Sequence, residues 1–445
     1  MKRFLAFGMA ACMVMGSMTA CGSGKSDSGS SDAATTDSSS SDSSGDNGEV
    51  KLTMLGWEIY QQAGMEALAA AYHEKHPNVT IEVQISTWSE YWTKLEAMAN
   101  SNSLPDIFWM HTNEFSKYAE AGMLADLTDL YADEDPDYYH NNFPANLVEN
   151  FTYEDKIYGV MKDVDTIGLV YNKDIFDEAG VSYPDDTWTW DDLVEASETI
   201  HEKTGKYLLT SEATGGDTLM MMMQSCGANF VNEDGEAYIV GNEVAEKCIN
   251  LYVDLVKNDV VKLVNNWDEY IATITGGEAA GIVNGNWITA TLMSTEDQKG
   301  LWQITTMPKV DDVDTATNYA NNGGSSWYIT SNCKNVELAE DFLASTFGSS
   351  TDFYDAILPV SGAISCYLPA GESEVYNEPN EFFNGQPIFS TIVEYSSHIP
   401  EFTKTPYHYE ARECVNTAVV NIVNGTSVED ALQEAQDTLA FKMTE

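Results

Sequence analysis

From residue 50 onward, apolar positions alternate between a two-residue and a helical spacing. Residues 51–55 form a short β-like run ending at Gly56-Trp57-Glu58. Residues 61–75 carry Met65, Leu68, Ala69 and Tyr72 at helical spacing and stop before Pro77. Val79, Ile81, Val83 and Ile85 then alternate as in a half-buried strand. Residues 91–99 place Trp92, Leu95 and Ala99 on one helical face. Residues 106–110 read as a compact strand after Pro105, and residues 115–121 as a helix ended by Gly122. This β-α-β-α-β order predicts an α/β fold with a mostly parallel sheet and helices on both faces. Ligands of such sheets sit beyond the carboxyl ends of the strands, which places Trp57, Glu58, Trp88 and Trp109 on one edge. Further along, Thr189-x-x-Asp192 opens a helix over residues 191–202, and Ser427-x-x-Asp430 opens the last one.

The first fifty residues break this pattern. Lys2 and Arg3 precede an apolar run from Phe4 to Val14, followed by small residues up to Thr19-Ala20-Cys21. That arrangement predicts a secretory signal over residues 1–20. Its short, Gly-interrupted run is marginal for spanning roughly 30 Å of hydrocarbon. Residues 22–49 are almost entirely Ser, Gly, Asp, Thr and Ala, a composition that cannot bury apolar surface. As a flexible coil they would reach on the order of 30 Å, which suits a tether.

Charge and cysteine count narrow the partners. A formal net charge of −50 repels nucleic acid and anionic lipid and disfavours an anionic ligand. Arg412 is the only arginine after Arg3, so a phosphorylated ligand would find no arginine cluster. Cys226, Cys248, Cys333, Cys366 and Cys414 are widely and irregularly spaced, matching neither a disulfide scaffold nor a zinc site, and most are expected as buried free thiols. Asp133-x-Asp135-x-Asp137 begins like a calcium loop, but Tyr138 and Pro144 occupy its sixth and twelfth positions, so it reads as a solvated turn. His73-Glu74-Lys75-His76 lacks the spacing that puts two ligands on one helical face. Met220–Met223 points around a whole helix and reads as packing. No metal or other cofactor is expected.

Several segments resemble the family 1 extracellular solute-binding proteins. Pro105-Asp106-Ile107-Phe108-Trp109-Met110-His111, continuing to Leu124, looks like the family's Pro-Asp strand and following helix. Lys156-Ile157-Tyr158-Gly159-Val160 leads into Ile167-Gly168-Leu169-Val170-Tyr171-Asn172-Lys173-Asp174, the most specific stretch, followed by Phe176, Gly180, Pro184 and Thr187-Trp188. Gly277-Glu278-Ala279-Ala280 with Asn284-Gly285-Asn286-Trp287 matches the motif carrying a sugar-stacking tryptophan. Gly323-Gly324-Ser325-Ser326-Trp327 and Asn424-Gly425 complete the series. Met161 stands where many relatives have Pro, which predicts a looser lobe connection; Gly281 replaces the usual Met, which predicts a wider cavity near Trp287. Thr19-Ala20-Cys21 resembles a bacterial lipobox, with Met18 in place of the usual Leu, which implies an acylated Cys21 heading a tether over residues 21–49.

The resemblance implies a two-lobe, type II periplasmic-binding-protein-like fold, with ligand in the interlobe cleft and a multi-strand hinge. Residues 50–162 and 310–352 would form the N-terminal lobe, and residues 163–309 and 353–445 the C-terminal lobe. Crossings are expected near residues 159–165, 307–310 and 352–359. It further implies a lipid-anchored monomer on the outer face of the cell membrane that hands a sugar to the permease of an ABC importer. A sugar needs flat aromatic platforms for its C–H faces and polar partners for its hydroxyls, since a hydroxyl desolvated without a partner costs about 1–3 kcal/mol. Trp57, Trp88, Trp109, Trp287 and Trp327 are the platform candidates. Glu58, Asp163, Asp165 and Asn286 are the polar ones, and Asp163 and Asp165 share one face of an extended stretch. Trp188 and Trp190, beside a helix start, read as structural. Two other readings stay open: the same fold holding another ligand such as a polyamine, and a tethered glycoside hydrolase with a catalytic carboxylate pair.

Overall fold

The computed structural model describes residues 48–57, 59–111, 114–132, 142–143, 148, 151–400 and 405–444. The signal, Cys21, the tether, Glu58 and the acidic turn at Asp133–Asp137 lie outside the described residues. Residues from Gly48 onward pack as one unit.

The strand Val50–Gly56 pairs in parallel with Val79–Ile85 and with Ile107–His111. Helices Gln62–Lys75 and Trp88–Asn100 connect them, each burying the face that its periodicity marks, as Met65, Ala69, Tyr72, Tyr91 and Leu95 show. The sheet then departs from the parallel expectation. Ser325–Ile329 adds to Ile107–His111 in antiparallel fashion, Gly159–Val164 adds to that, and Ile364–Ser365 closes the row. Ser325–Ile329 and Ile364–Ser365 run against the first three strands, whereas Gly159–Val164, antiparallel to both, runs with them.

The second lobe is built around Leu169–Asn172, which pairs antiparallel with Gly281–Val283 and Trp302–Thr305. Its alternation is used on both faces. Leu169 and Tyr171 enter one core with Phe176, Trp190 and Leu219, while Val170 enters another with Ile282, Ile304 and Phe383. The capping box at Thr189 is present: Asp192 N donates to Thr189 Oγ1 at 3.2 Å, and Thr189 N donates to Asp192 Oδ2 at 2.8 Å. It starts the helix Trp190–Thr204, which Gly205 ends with φ of 70°. Trp190 is fully buried, as a structural role requires. The five described cysteines are buried free thiols.

Where the chain changes lobe follows from packing. Gly159–Val164 sits in the first sheet, yet Thr166–Ile167 already pairs with Ala320–Asn321. The outward crossing therefore runs through residues 163–168 and the return through 321–325, side by side and antiparallel. Met307, Val310, Ala316 and Ala320 all lie in the second-lobe core, so the return comes later than residues 307–310. Helix Thr351–Ser361 packs Phe353, Tyr354 and Ile357 into the first core, and Ala370 joins them, so the 352–359 boundary also moves later. Gly and Pro mark where a chain can bend; the core that accepts the side chains decides where it crosses.

Two family departures have other consequences than expected. Met161 is a buried strand residue paired with Ser326, and the ladder shifts register just beyond it, between Ser326 and Ser325. A Cβ on Gly281 would lie 3.1 Å from Leu169 Cδ1 and 3.2 Å from the Val170 carbonyl oxygen. Gly281 thus permits close strand packing and does not border the cavity.

Candidate ligand-binding cleft

A cleft of about 2070 Å³ lies between the lobes. That exceeds the roughly 300–1,000 Å³ usual for small-molecule sites, so it has room for several sugar-sized units or for closure. Its floor is the double crossing, including Asp163, Asp165 and residues 321–326. Gly323 and Gly324 have φ of 125° and 120°, and a Cβ on Gly323 would sit 2.9 Å from Asp165 Oδ2. Only glycine fits this strand passing the carboxylate.

The first-lobe wall is aromatic because three strands end there. Trp57 follows the first strand, Trp88 opens the helix after the second, and Trp109 lies near the end of the third. Trp57 stacks on Trp109 with centroids 4.1 Å apart and 15° between planes. Trp88 meets Trp57 edge-on at 5.4 Å, and the His111 ring lies nearly parallel to Trp57 at 5.4 Å. Trp88 is 37% exposed, whereas Trp109 is 2% exposed behind Trp57. Trp327 is fully buried, 5.3 Å behind Trp109 and 5.0 Å from Phe347. Its place among the platform candidates is therefore corrected: it supports the wall from within, since inward-facing strand positions share one face with Trp109.

On the second-lobe wall, Trp287 pairs with Trp267 at 5.3 Å. A Cβ on Gly285 would come within 2.4 Å of Trp287 Nε1, so the glycine lets the indole fold back. Met220, Met221 and Met223 line the same wall. Asn286 does not line it. It is fully buried, donates from Nδ2 to the Gly362 carbonyl at 2.6 Å, and hydrogen-bonds the Asp165 carboxyl. Glu58 lies outside the described residues.

The opening turn of helix His408–Val423 supplies His408, Tyr409 and Arg412 to the cleft. Arg412 donates to Asp217 Oδ1 at 2.7 Å and lies 4.6 Å over the Tyr409 ring, while its Nε has no partner. The sequence reading missed this group together with His111 and Trp267. Its one signal was three polar or aromatic side chains at i, i+1 and i+4 on a helix whose Ala411, Cys414 and Val415 are apolar. Trp267 gave none, since it reads as part of an ordinary amphipathic helix with Tyr270 and Ile274.

Electrostatics set the protonation of the site. Burial, then the charge of Asp163, push the Asp165 carboxyl well above the usual carboxylate range, against the opposing pull of Lys162, the Gly324 N–H and Asn286. Burial lowers His111 and His408 to about 4, so both rings are neutral near pH 7 and offer one donor and one acceptor each. Because unfolded histidine titrates near 6.5, the unfolded chain binds more protons than the folded one between about pH 6.5 and 4. The histidines' share of stability is thus full above pH 6.5 and falls as pH drops toward 4, while the raised Asp165 carboxyl acts in the opposite sense. Urea midpoints at pH 7 and pH 5 check this: the drop should shrink in His111→Asn/His408→Asn, and an equal drop would show that other groups cause it.

One ion pair outside the hinge joins the lobes among the described residues. Lys117, on the first-lobe helix Phe115–Glu120, donates to Glu410 Oε1 at 2.6 Å. Lys117→Glu is expected to open the ligand-free protein, and Lys117→Glu/Glu410→Lys to close it again. Small-angle scattering reads the change as a radius of gyration; an unchanged radius in the single variant would dismiss the clasp.

With a hinge of paired strands, two lobes and a cleft walled by aromatic rings, the molecule has the architecture of a ligand-capturing receptor. The family model described as bacterial extracellular solute-binding protein matches residues 67–380, and the chain belongs to that family. It is 31% identical over 401 residues to the lactose-binding protein of Rhizobium radiobacter, covering 88% of this chain and 92% of that one. It is 25% identical to the arabinooligosaccharide-binding protein of Bacillus subtilis, covering 88% and 90%. Among solved structures, the GacH receptor of Streptomyces glaucescens superposes with a TM-score of 0.75 at 20% identity, over 89% of this chain and 99% of that one. The galacto-N-biose-/lacto-N-biose I-binding protein of Bifidobacterium longum gives 0.73 at 20%, over 90% and 98%. These likenesses agree with the two-lobe type II fold.

Proposed function

We propose that the chain is a non-catalytic receptor that captures a neutral oligosaccharide outside the cell and delivers it to the permease of an ABC importer. The observation that carries this reading is the pair of facing indole walls, Trp57 and Trp88 opposite Trp267 and Trp287, above a polar floor. Indole faces hold the C–H faces of a sugar ring, while Asp163, Asp165, the neutral histidines and the Arg412–Asp217 pair meet its hydroxyls. Lactose-binding and arabinooligosaccharide-binding relatives support the ligand class. Closure would turn one lobe about residues 163–168 and 321–325, a hinge motion between two packed bodies.

Calorimetric titration with lactose and arabino-oligosaccharides tests the reading. Saturable binding near micromolar affinity, about −8 kcal/mol, is expected of a receptor that must also release its cargo. Product formation during the titration would favour a hydrolase, and binding of spermidine in place of sugars would favour a polyamine receptor. Attachment to the membrane is proposed to run through acylated Cys21. Cys21→Ser should release the protein from cells into the medium, and retention at the membrane would refute the anchor.

A further inference from the structure

We propose that Lys162 is a positioning residue that fixes the first-lobe aromatic wall to the hinge strand. This rests on the reading of Trp57 as a ligand platform. Lys162 is fully buried, a rare state for lysine. Its ammonium lies 4.0 Å from the Trp109 ring centroid and is paired with the Asp163 carboxylate. Asp163 Oδ1 in turn accepts from the Ser325 hydroxyl on the returning strand. The cation therefore touches the ring stack directly and reaches the returning strand through Asp163.

Sheet register explains how it reaches. Val160 lies opposite Trp327, and Trp327 lies opposite Trp109. The register then shifts by one residue, Met161 standing opposite Ser326 and Asp163 opposite Ser325, so Lys162 is the extra residue of a bulge, with its ammonium over the Trp109 ring. Trp109 then carries Trp57 at 4.1 Å, so a cation on Trp109 sets the tilt of the ring that borders the cleft.

A stabilising role alone does not account for this residue. Replacing a buried ion pair with apolar groups of similar volume is often neutral or favourable, because desolvation offsets much of the Coulomb attraction. A desolvated cation over indole adds direction, since attraction peaks above the ring face. Lys162 lies three residues before Asp165, at the point where the chain leaves the lobe, so turning the hinge strand carries the wall with it.

The test removes both charges together, in Lys162→Met/Asp163→Asn, so that no unpaired ion is left buried. Ligand-free protein is read by near-ultraviolet circular dichroism, where the stacked Trp57 and Trp109 indoles give a coupled signal. Folding is read by denaturant midpoint, and affinity by calorimetry with arabino-oligosaccharide. The expected result is a parent-like midpoint, loss of most of the coupled signal and about tenfold weaker binding. Lys162→Arg, whose guanidinium also lies flat on indole, should restore both. An unchanged coupled signal, or unchanged affinity with the signal lost, overturns the proposal. If the neutral variant does not fold, Lys162→Arg, which keeps both charges, must retain the coupled signal and the affinity; their loss there also overturns the proposal. The spectrum is taken without ligand. A parent that binds no sugar would therefore strike the receptor reading while leaving the Lys162 result decisive.

Discussion

Trp57→Ala is expected to weaken oligosaccharide binding by about 1–3 kcal/mol, roughly 5- to 150-fold, with little change in stability. Trp57 is the ring that borders the cleft, stacked at 4.1 Å on a Trp109 that is only 2% exposed. Trp287→Ala should cost a similar amount from the facing wall, where the indole packs at 5.3 Å against Trp267. The two losses should add if the sugar keeps its pose, because the rings belong to different lobes and do not pack on each other. Trp109→Ala is a useful contrast. It also weakens binding, but through the loss of support beneath Trp57, and it removes a buried side chain whose truncation typically costs 3–5 kcal/mol of folding stability. Calorimetry paired with denaturant unfolding separates the two behaviours. Parent-like affinity in both Trp57→Ala and Trp287→Ala would leave the cleft without its aromatic recognition.

Gly168→Val is expected to destabilise the fold by about 3 kcal/mol, at the upper end of overpacking effects. A Cβ on Gly168 would lie 2.1 Å from the Thr305 carbonyl oxygen and 2.6 Å from the Met307 backbone nitrogen. These are backbone atoms, so no side-chain rotation relieves the clash. Gly168 stands between Thr166–Ile167 and Leu169–Asn172, where the outward crossing enters the second-lobe sheet. The damage should therefore reach ligand closure as well as stability. Gly371→Ala is the control, since nothing lies within 4 Å of a Cβ there. A parent-like unfolding midpoint for Gly168→Val would mean that the two backbones do not approach as described.

Much of the architecture was legible in the chain because period-2 and helical spacing are local. The first three strands, the helices between them and the N-caps at Thr189 and Ser427 follow from residues within a few positions of one another. The convergence of Trp57, Trp88 and Trp109 was also within reach, since parallel strands bring their carboxyl ends to one edge. The polar side was less legible. His408, Tyr409 and Arg412 lie some 300 residues from Trp109, and no local pattern says which end of a helix enters a cleft. Trp327 was misplaced because a tryptophan in a strand looks the same whether its neighbour is solvent or another tryptophan.

The sequence by itself determined the class of fold, the order of elements, and the supply of aromatic and acidic groups. Tertiary structure decided which indoles face the cleft, where the chain changes lobe and which carboxyl has its proton affinity raised. The division has one physical cause. Local spacing fixes backbone form and the side of each residue, whereas exposure, stacking and proton affinity depend on what arrives from distant parts of the chain. Lys162 shows this most directly: in the sequence it is one lysine beside an aspartate, and only folding places Trp109 beneath it and Ser325 on the Asp163 carboxylate that pairs with it.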